Sequence, residues 1–171
     1  MKFKLCDAKS LDIVKTFECG QCFRWNANDK GVYTGVVGRY LAEVETVDSA
    51  VYITSDAPAE MWADYFDLAT DYAAVSADFT GEYLHECIDY GMGIRILRQD
   101  SWEALCSFII SQCNNITRIK GIVERLCEQF GDKCEANGVG YYTFPSAERL
   151  AALRPSDLAG IRSGYRAEYI I

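Results

Sequence analysis

The chain has 171 residues, 50% of them hydrophobic, which is enough for one well-buried domain or two small ones. No apolar run approaches the roughly 20 residues that span a bilayer, and the opening MKFKLCDAKS lacks the apolar core of a signal peptide. The sequence therefore reads as cytosolic, with its 8 cysteines reduced thiols and not a disulfide framework, and its net charge of −8 speaks against a nucleic-acid partner until that charge is divided. Residues 1–92 hold 7 Lys+Arg against 16 Asp+Glu, a balance of −9, whereas residues 93–171 hold 10 against 9, a balance of +1. Only the second half suits a phosphate backbone.

In chain order, Cys22 to Ser55 reads as strands. CFRWNA, GVYTGVV, RYLAEVET and AVYITS are short, rich in aromatic and β-branched residues, and separated by Asn, Asp and Gly. Such spacing favours an antiparallel meander. In RYLAEVET, Tyr40, Ala42, Val44 and Thr46 fall on one face and Arg39, Glu43 and Glu45 on the other, which predicts a sheet with one wet side. After Pro58 the period becomes helical through Met61, Trp62, Tyr65, Phe66 and Leu68, and a helical segment is expected to run to about Tyr90, stopping at YGMG.

The next stretch, QDSWEALCSFIISQ, has Asp100 as N-cap with Glu103 three residues on, close to a capping box, and an apolar face of Trp102, Leu105, Cys106 and Ile109. This helix is almost apolar throughout and is expected to be buried. Asn114 and Asn115 are placed to cap a second helix. Its apolar positions Ile116, Ile119, Ile122, Val123, Leu126 and Phe130 recur at three and four, and Gly131 stands where a left-handed C-terminal cap belongs. FPSAERLAALRP and SDLAGI read as short helices, each opened by a Ser. The chain stops on Ile170 and Ile171, apolar residues that read as the start of a further helix.

Three segments could carry chemistry. FECGQCFRWN holds a C-x-x-C pair, Cys19 and Cys22, but a strand is expected after it where a redox pair wants a helix N-terminus. Zinc would need two further ligands, and the chain has one histidine, His85, and no second C-x-x-C; no cofactor is expected. In SQCNNITRIKG, Asn114, Asn115 and Arg118 lie between two apolar helices, as caps with a solvated arginine or as a binding turn. In SGYRAEY, Tyr165 and Arg166 follow Gly164, an aromatic beside a cation that suits insertion between bases or a core Tyr with a surface Arg.

Taken together, GQCFRW (20–25), LRQDSWEALCSFIISQCNNITRIKGIVERLCEQFG (97–131), YYTFPSAERLA (141–151) and GYRAEY (164–169) resemble, in order and spacing, the amino-terminal part of the 8-oxoguanine DNA glycosylases. The resemblance runs over essentially the whole chain, and residues 97–131 are its most specific part. It implies an α+β fold: an antiparallel, TATA-binding-protein-like sheet domain with flanking helices, taken as residues 1–92, followed by the first helices of a truncated all-helical DNA-glycosylase domain, residues 93–171. It also implies base flipping, in which the damaged nucleotide leaves the stack for a protein pocket.

The site residues follow from the same resemblance. Gly20 matches the glycine whose carbonyl accepts from the N7 hydrogen that 8-oxoguanine has and guanine lacks, and Gln21 and Phe23 of the same turn are expected to bind substrate. Arg118 and Arg166 match arginines that read the cytosine opposite the lesion, Tyr165 an aromatic wedged into the duplex, and Asn114 and Asn115 two members of an asparagine run. Cys113 falls where the first asparagine of that run belongs, a departure that weakens the expected preference for cytosine. The family's nucleophilic lysine, which forms a Schiff base with the sugar, and its partner aspartate belong to a helix-hairpin-helix that has no counterpart here. The catalysts are therefore expected beyond Ile171. This chain should be inactive alone, a monomer with weak affinity for duplex DNA containing 8-oxoguanine and none for membranes, working in a bacterial nucleoid or a eukaryotic nucleus. A second reading stays open, in which the acidic first half docks a basic protein and the chain is a non-catalytic binding module.

Overall fold

The computed structural model describes residues 1–171, the side chain of Glu82 excepted. Strand β1 (Lys2–Asp7) and helix α1 (Ile13–Glu18) precede strands β2 (Trp25–Ala27), β3 (Tyr33–Val37), β4 (Tyr40–Val47) and β5 (Ala50–Ser55). Helices α2 (Ala59–Tyr65), α3 (Tyr72–Ala77), α4 (Glu82–Gly91), α5 (Ser101–Ser111) and α6 (Ile116–Phe130) come next. A hairpin of β6 (Lys133–Ala136) and β7 (Val139–Tyr142) leads to α7 (Ala147–Ala151), two 3₁₀ segments, Pro155–Ile161 and Gly164–Arg166, and α8 (Ala167–Ile170). The class is α+β, with an antiparallel sheet in the order β1-β5-β4-β3-β2. Two compact units result: Met1–Gln21, Ala27–Tyr33 and Glu43–Arg98 form the first, and Cys22–Asn26, Thr34–Ala42 and Gln99–Ile171 the second.

In the first unit, β1 pairs with β5 in a register that sets Lys2 opposite Thr54 and Phe3 opposite Ile53, with an irregularity between Lys4 and Cys6. Its interior is aromatic. Phe17 lies 5.0 Å from Tyr33 and 5.9 Å from Phe66, ring centre to ring centre, and Trp62 meets Tyr65 edge-on at 5.9 Å. Offset and edge-on arrangements of this kind add roughly 0.5–1.5 kcal/mol per pair beyond burial. Arg95 is buried against the loop ends: Nε donates to Ser10 O at 2.7 Å, Nη1 to Asp67 O and Thr70 O at 2.9 Å, and the guanidinium lies 4.4 Å over Tyr72.

The second unit is built on α6, whose Ile119, Ile122, Val123, Leu126 and Cys127 are buried at the three- and four-residue spacing the sequence displays. They pack with Cys106 and Ile110 of α5, Leu150 of α7, and Leu158 and Ile161 of the first 3₁₀ segment. Asp100, Asn115 and Ser146 cap their helices as expected, each side chain accepting from backbone N–H groups of its first turn.

Several expectations are overturned. The strand expected over Cys22–Ala27 begins only at Trp25: Phe23 is buried in the core of the helical unit and Arg24 is buried too, and burial, not strand pairing, explains their character. The helical segment expected to run to Tyr90 is three helices: Asp67 adopts φ 50° after α2, Asp71 caps α3 afresh, and α4 starts again after Gly81. The sequence reading passed over β1, α1 and the β6–β7 hairpin, although Asn137 and Gly138 at φ 54° and 77° form the two-residue turn that an Asn-Gly pair signals. Gly131 is extended, with φ −81° and ψ 168°, and is not a left-handed cap; a Cβ there would stand 2.0 Å from the Thr143 carbonyl oxygen. Ser156 does not open the SDLAGI segment, which begins at Pro155 and is capped by Arg154 with Asp157 reaching back. Finally, α5 is not wholly buried: Cys106, Ser107 and Ile110 face inward, while Leu105 and Phe108 are exposed.

Candidate lesion and opposite-base site

In the first unit, α1 is capped by Asp12, whose carboxylate accepts from Lys15 N at 3.0 Å, and the helix closes at Cys19. The next residue, Gly20, turns the chain with φ +90°, a conformation an L side chain rarely adopts, and it is half-buried with open space around it. A backbone that bends this way without a side chain leaves its peptide groups open to close approach. Gln21 braces the turn: Nε2 donates to Thr16 O at 3.0 Å and Arg95 O at 2.8 Å, and Oε1 accepts from Leu97 N at 2.9 Å. Its amide is thus engaged within the protein.

The two cysteines of this turn differ. Cys19 is exposed, with its thiol directed at Thr16 O at 3.4 Å, and Cys22 is buried. Among the described residues no disulfide joins the cysteines, and burial pushes the thiols of Cys106 and Cys127 up to about 12. Among the described residues no group of three or more His, Cys, Asp or Glu is placed to hold a metal ion.

In the second unit Phe23 is buried in the core with Ile110, Ile122 and Leu150. Beside it in sequence, Arg24 is 6% exposed; Nη2 donates to Tyr142 O at 2.5 Å and Nη1 stands 4.0 Å from a Glu103 carboxylate oxygen, while Nε and Nη1 have no hydrogen-bond partner among the described residues. Burial raises the Glu103 carboxyl to about 7, even though Arg24 pulls it down. The sequence reading passed over this pair because its members are separated along the chain and neither belongs to a local pattern.

The turn between α5 and α6 and the segment entering α8 meet around one hollow of about 370 Å³, lined by Phe108, Ile109, Gln112, Cys113, Tyr165, Arg166 and Tyr169. Cys113 is exposed and adopts φ +49°. Asn114 Nδ2 donates to Ile110 O at 3.1 Å and its Oδ1 accepts from Asn115 N at 3.1 Å; Asn115 Oδ1 accepts from Arg118 N at 2.9 Å. Both asparagines therefore hold backbone, as capping residues do. Arg118 projects from the first turn of α6, exposed and without an ion pair among the described residues.

Tyr165 is 57% exposed and meets Tyr169 edge-on at 6.5 Å. Arg166 is only 4% exposed and lies 4.5 Å over the Tyr165 ring. Of the expected residues, the structure thus gathers Cys113, Tyr165 and Arg166 at one hollow, puts Asn114, Asn115 and Arg118 on the adjoining turn and helix start, and places Gly20 and Gln21 in the other unit. Phe108 and Tyr169 were not singled out from sequence, yet Tyr169 lies four residues after Tyr165, the spacing of one helix face.

Known proteins resemble the chain throughout. The family model described as 8-oxoguanine DNA glycosylase, N-terminal domain, matches residues 4–105. The N-glycosylase/DNA lyase OGG1 of Arabidopsis thaliana is 30% identical over 170 residues, covering 94% of this chain and 47% of the relative. Among solved structures, that of MBOgg1 in complex with a low affinity DNA ligand superposes with a TM-score of 0.89 at 39% identity, over 99% of this chain and 59% of that one. The Clostridium acetobutylicum 8-oxoguanine glycosylase/lyase, in complex with double-stranded DNA containing cytosine opposite 8-oxoG, gives 0.87 at 36% identity, over 95% of this chain and 57% of that one. The chain spans about half the length of the curated relative and under 60% of these two solved chains.

Proposed function

The chain belongs to the 8-oxoguanine DNA glycosylase family, and from that premise we propose that it is the lesion-recognition part of a base-excision-repair glycosylase/lyase acting on 8-oxoguanine opposite cytosine. The first unit supplies the lesion-reading turn at Gly20 and the second the contact with the opposite base, while the excising lysine and its aspartate belong to sequence outside this chain. Alone it is an inactive, monomeric binder of lesion-bearing duplex DNA in the nucleoid or nucleus.

The observation that carries this reading is the gathering of Cys113, Tyr165 and Arg166, from segments some fifty residues apart, around one hollow, with the exposed Arg118 on the adjoining start of α6. The exposed Tyr165 and the exposed Arg118 are the kinds of group a disrupted base pair requires: an aromatic face to stack on and paired donors for a base edge. At the lesion itself, Gly20 offers its carbonyl to the N7 hydrogen of 8-oxoguanine. Guanine presents a lone pair there, and a buried acceptor facing another acceptor costs about 1–3 kcal/mol, a preference of roughly five- to 160-fold.

Borohydride trapping on a duplex with 8-oxoguanine opposite cytosine tests the assignment, using this chain and a longer protein that contains it. The longer protein is expected to give a covalent adduct and this chain none. Gly20→Ala in the longer protein should lower the preference for 8-oxoguanine over guanine. An adduct from this chain would place the nucleophile within residues 1–171, and none from either would end the glycosylase/lyase reading.

A further inference from the structure

A glycine at φ +90° is soft as well as bent. Nothing stands within 4 Å of where a Cβ would be at Gly20, and glycine visits neighbouring backbone angles at little cost. The peptide joining Gly20 to Gln21 is a single plane that carries the Gly20 carbonyl, so whatever holds Gln21 governs where that carbonyl points. What holds it is its own side chain. Nε2 donates to Arg95 O at 2.8 Å and Thr16 O at 3.0 Å, with the Cys19 sulfur 3.4 Å away, and Oε1 accepts from Leu97 N at 2.9 Å. A group that takes the carbonyl of one residue and the N–H of the residue two further on makes the pair of bonds a neighbouring parallel strand would make. The Gln21 amide thus stands in for a strand residue opposite Ile96. The segment it grips is fastened in turn: Gly93 O accepts from Asp12 N at 2.8 Å, Arg95 N donates to Thr16 Oγ1 at 3.2 Å, and Arg98 N donates to Tyr65 O at 2.9 Å. Arg95 and Leu97 are 7% and 5% exposed, so losing the amide would leave a carbonyl and an N–H of buried residues without that partner.

We propose that Gln21 is a positioning residue of the lesion site: it clamps the Gly20 turn to residues 95–97 and so sets the direction of the Gly20 carbonyl, acting on the 8-oxoguanine base through that carbonyl. This differs from the direct substrate contact expected of Gln21 from the sequence, because both ends of its amide are engaged within the protein. The chemistry of the side chain suits the task. A glutamate would offer no donor to the carbonyls of Thr16 and Arg95, and an apolar residue would offer neither donor nor strong acceptor. The consequence for lesion preference rests on the function proposed above; the clamp itself does not.

Amide hydrogen exchange of the 171-residue chain tests the clamp without DNA. Gln21→Ala is expected to speed exchange at Leu97 about tenfold or more, while the amides of Val51 and Ile53 in β5 keep their protection. Fluorescence anisotropy on duplexes carrying 8-oxoguanine or guanine opposite cytosine reads the consequence. The same variant should lower affinity for the lesion duplex roughly fivefold or more and leave the guanine duplex unchanged. Faster exchange with equal losses on both duplexes would mark a merely structural residue, and lost preference with unchanged exchange at Leu97 would mark a residue that touches the base. Either pattern overturns the proposal, as does a variant that matches wild type in both measurements. If the alanine variant does not fold, Gln21→Met, which fills similar space without the amide, is put to the same measurements, and wild-type exchange at Leu97 in it would refute the clamp. Equal binding of the two duplexes by the unaltered chain would refute the proposed function and leave the exchange result to decide the clamp.

Discussion

Gly20 sits at φ +90° with open space where a Cβ would go, whereas a Cβ on Gly35, whose backbone lies outside the left-handed region, would stand 2.4 Å from the buried Trp25 ring. A methyl group at the first position meets only backbone strain, about 1–2 kcal/mol. At the second it must displace an indole that is 1% exposed, with a cost at the upper end of overpacking, about 3 kcal/mol. Urea denaturation of Gly20→Ala and Gly35→Ala is expected to show the larger loss for Gly35, and equal losses would contradict the distinction. Local single-residue roles were legible in the sequence: Asp100, Asn115 and Ser146 cap because their partners lie within three residues. Roles at long range were not. Arg24 finds Tyr142 across 118 positions and Arg166 finds Gln112 across 54, and no periodicity encodes such pairs.

Helix α5 carries a titration at its inner face. Glu103, pushed up to about 7 by burial, is easier to accommodate protonated than ionised, so its contribution to folding is full below the unfolded value near 4.5 and is lost as pH rises through about 7. At Asp67 burial also opposes ionisation, but hydrogen bonds from Arg98, Thr70 and Tyr72 outweigh it and hold the carboxyl below its usual range. Its contribution is therefore present above the unfolded value and lost as pH falls through the lowered one. Thermal unfolding followed from pH 3 to 8 should rise from the acid side as Asp67 ionises and decline between about 5 and 7 as Glu103 does. Glu103→Gln should flatten only the second limb, by at most about 3.4 kcal/mol, the free-energy equivalent of a carboxyl raised from 4.5 to about 7. A decline that persists in the glutamine variant would assign it elsewhere. Element by element, β3, β4 and β5 were legible because Ala42 and Val44 alternate inward with Glu43 outward, and α6 because its buried positions keep a strict helical period. Strand β1 was not, since what makes it a strand is a partner some fifty residues away, with Lys2 opposite Thr54. The exposed side of α5 was misread because an apolar helix is the same text whether its second face is covered or open.

Across the molecule charge is unevenly spread, −9 over residues 1–92 and +1 over the rest, so the favourable electrostatics of duplex binding must come from few cations against a repelling background. Each phosphate neutralised contributes close to one unit to the slope of log affinity against log salt. For this chain a slope of magnitude about 2 or 3 is expected between 50 and 200 mM KCl, measured by anisotropy on the lesion duplex, and a slope near 6 would show a phosphate-binding face that the charge distribution does not provide. What was legible at this scale was the order of the family-like segments along the chain; that residues 22–26 and 34–42, strand residues of β3 and β4 among them, group with the helical unit was not, because only three-dimensional contacts show it.

Strand β1 stands at one end of the sheet order, an outer row of backbone donors and acceptors of the kind on which foreign strands can template. Lys2 and Lys4 interrupt its apolar residues with charge, each held by a carboxylate, Glu45 and Asp7 respectively, and the register breaks between Lys4 and Cys6. Charge and irregularity together spoil the flat, continuous rail that fibril growth needs. Met1–Asp7 thus give the sheet an edge whose charge and broken register disfavour strand-on-strand growth.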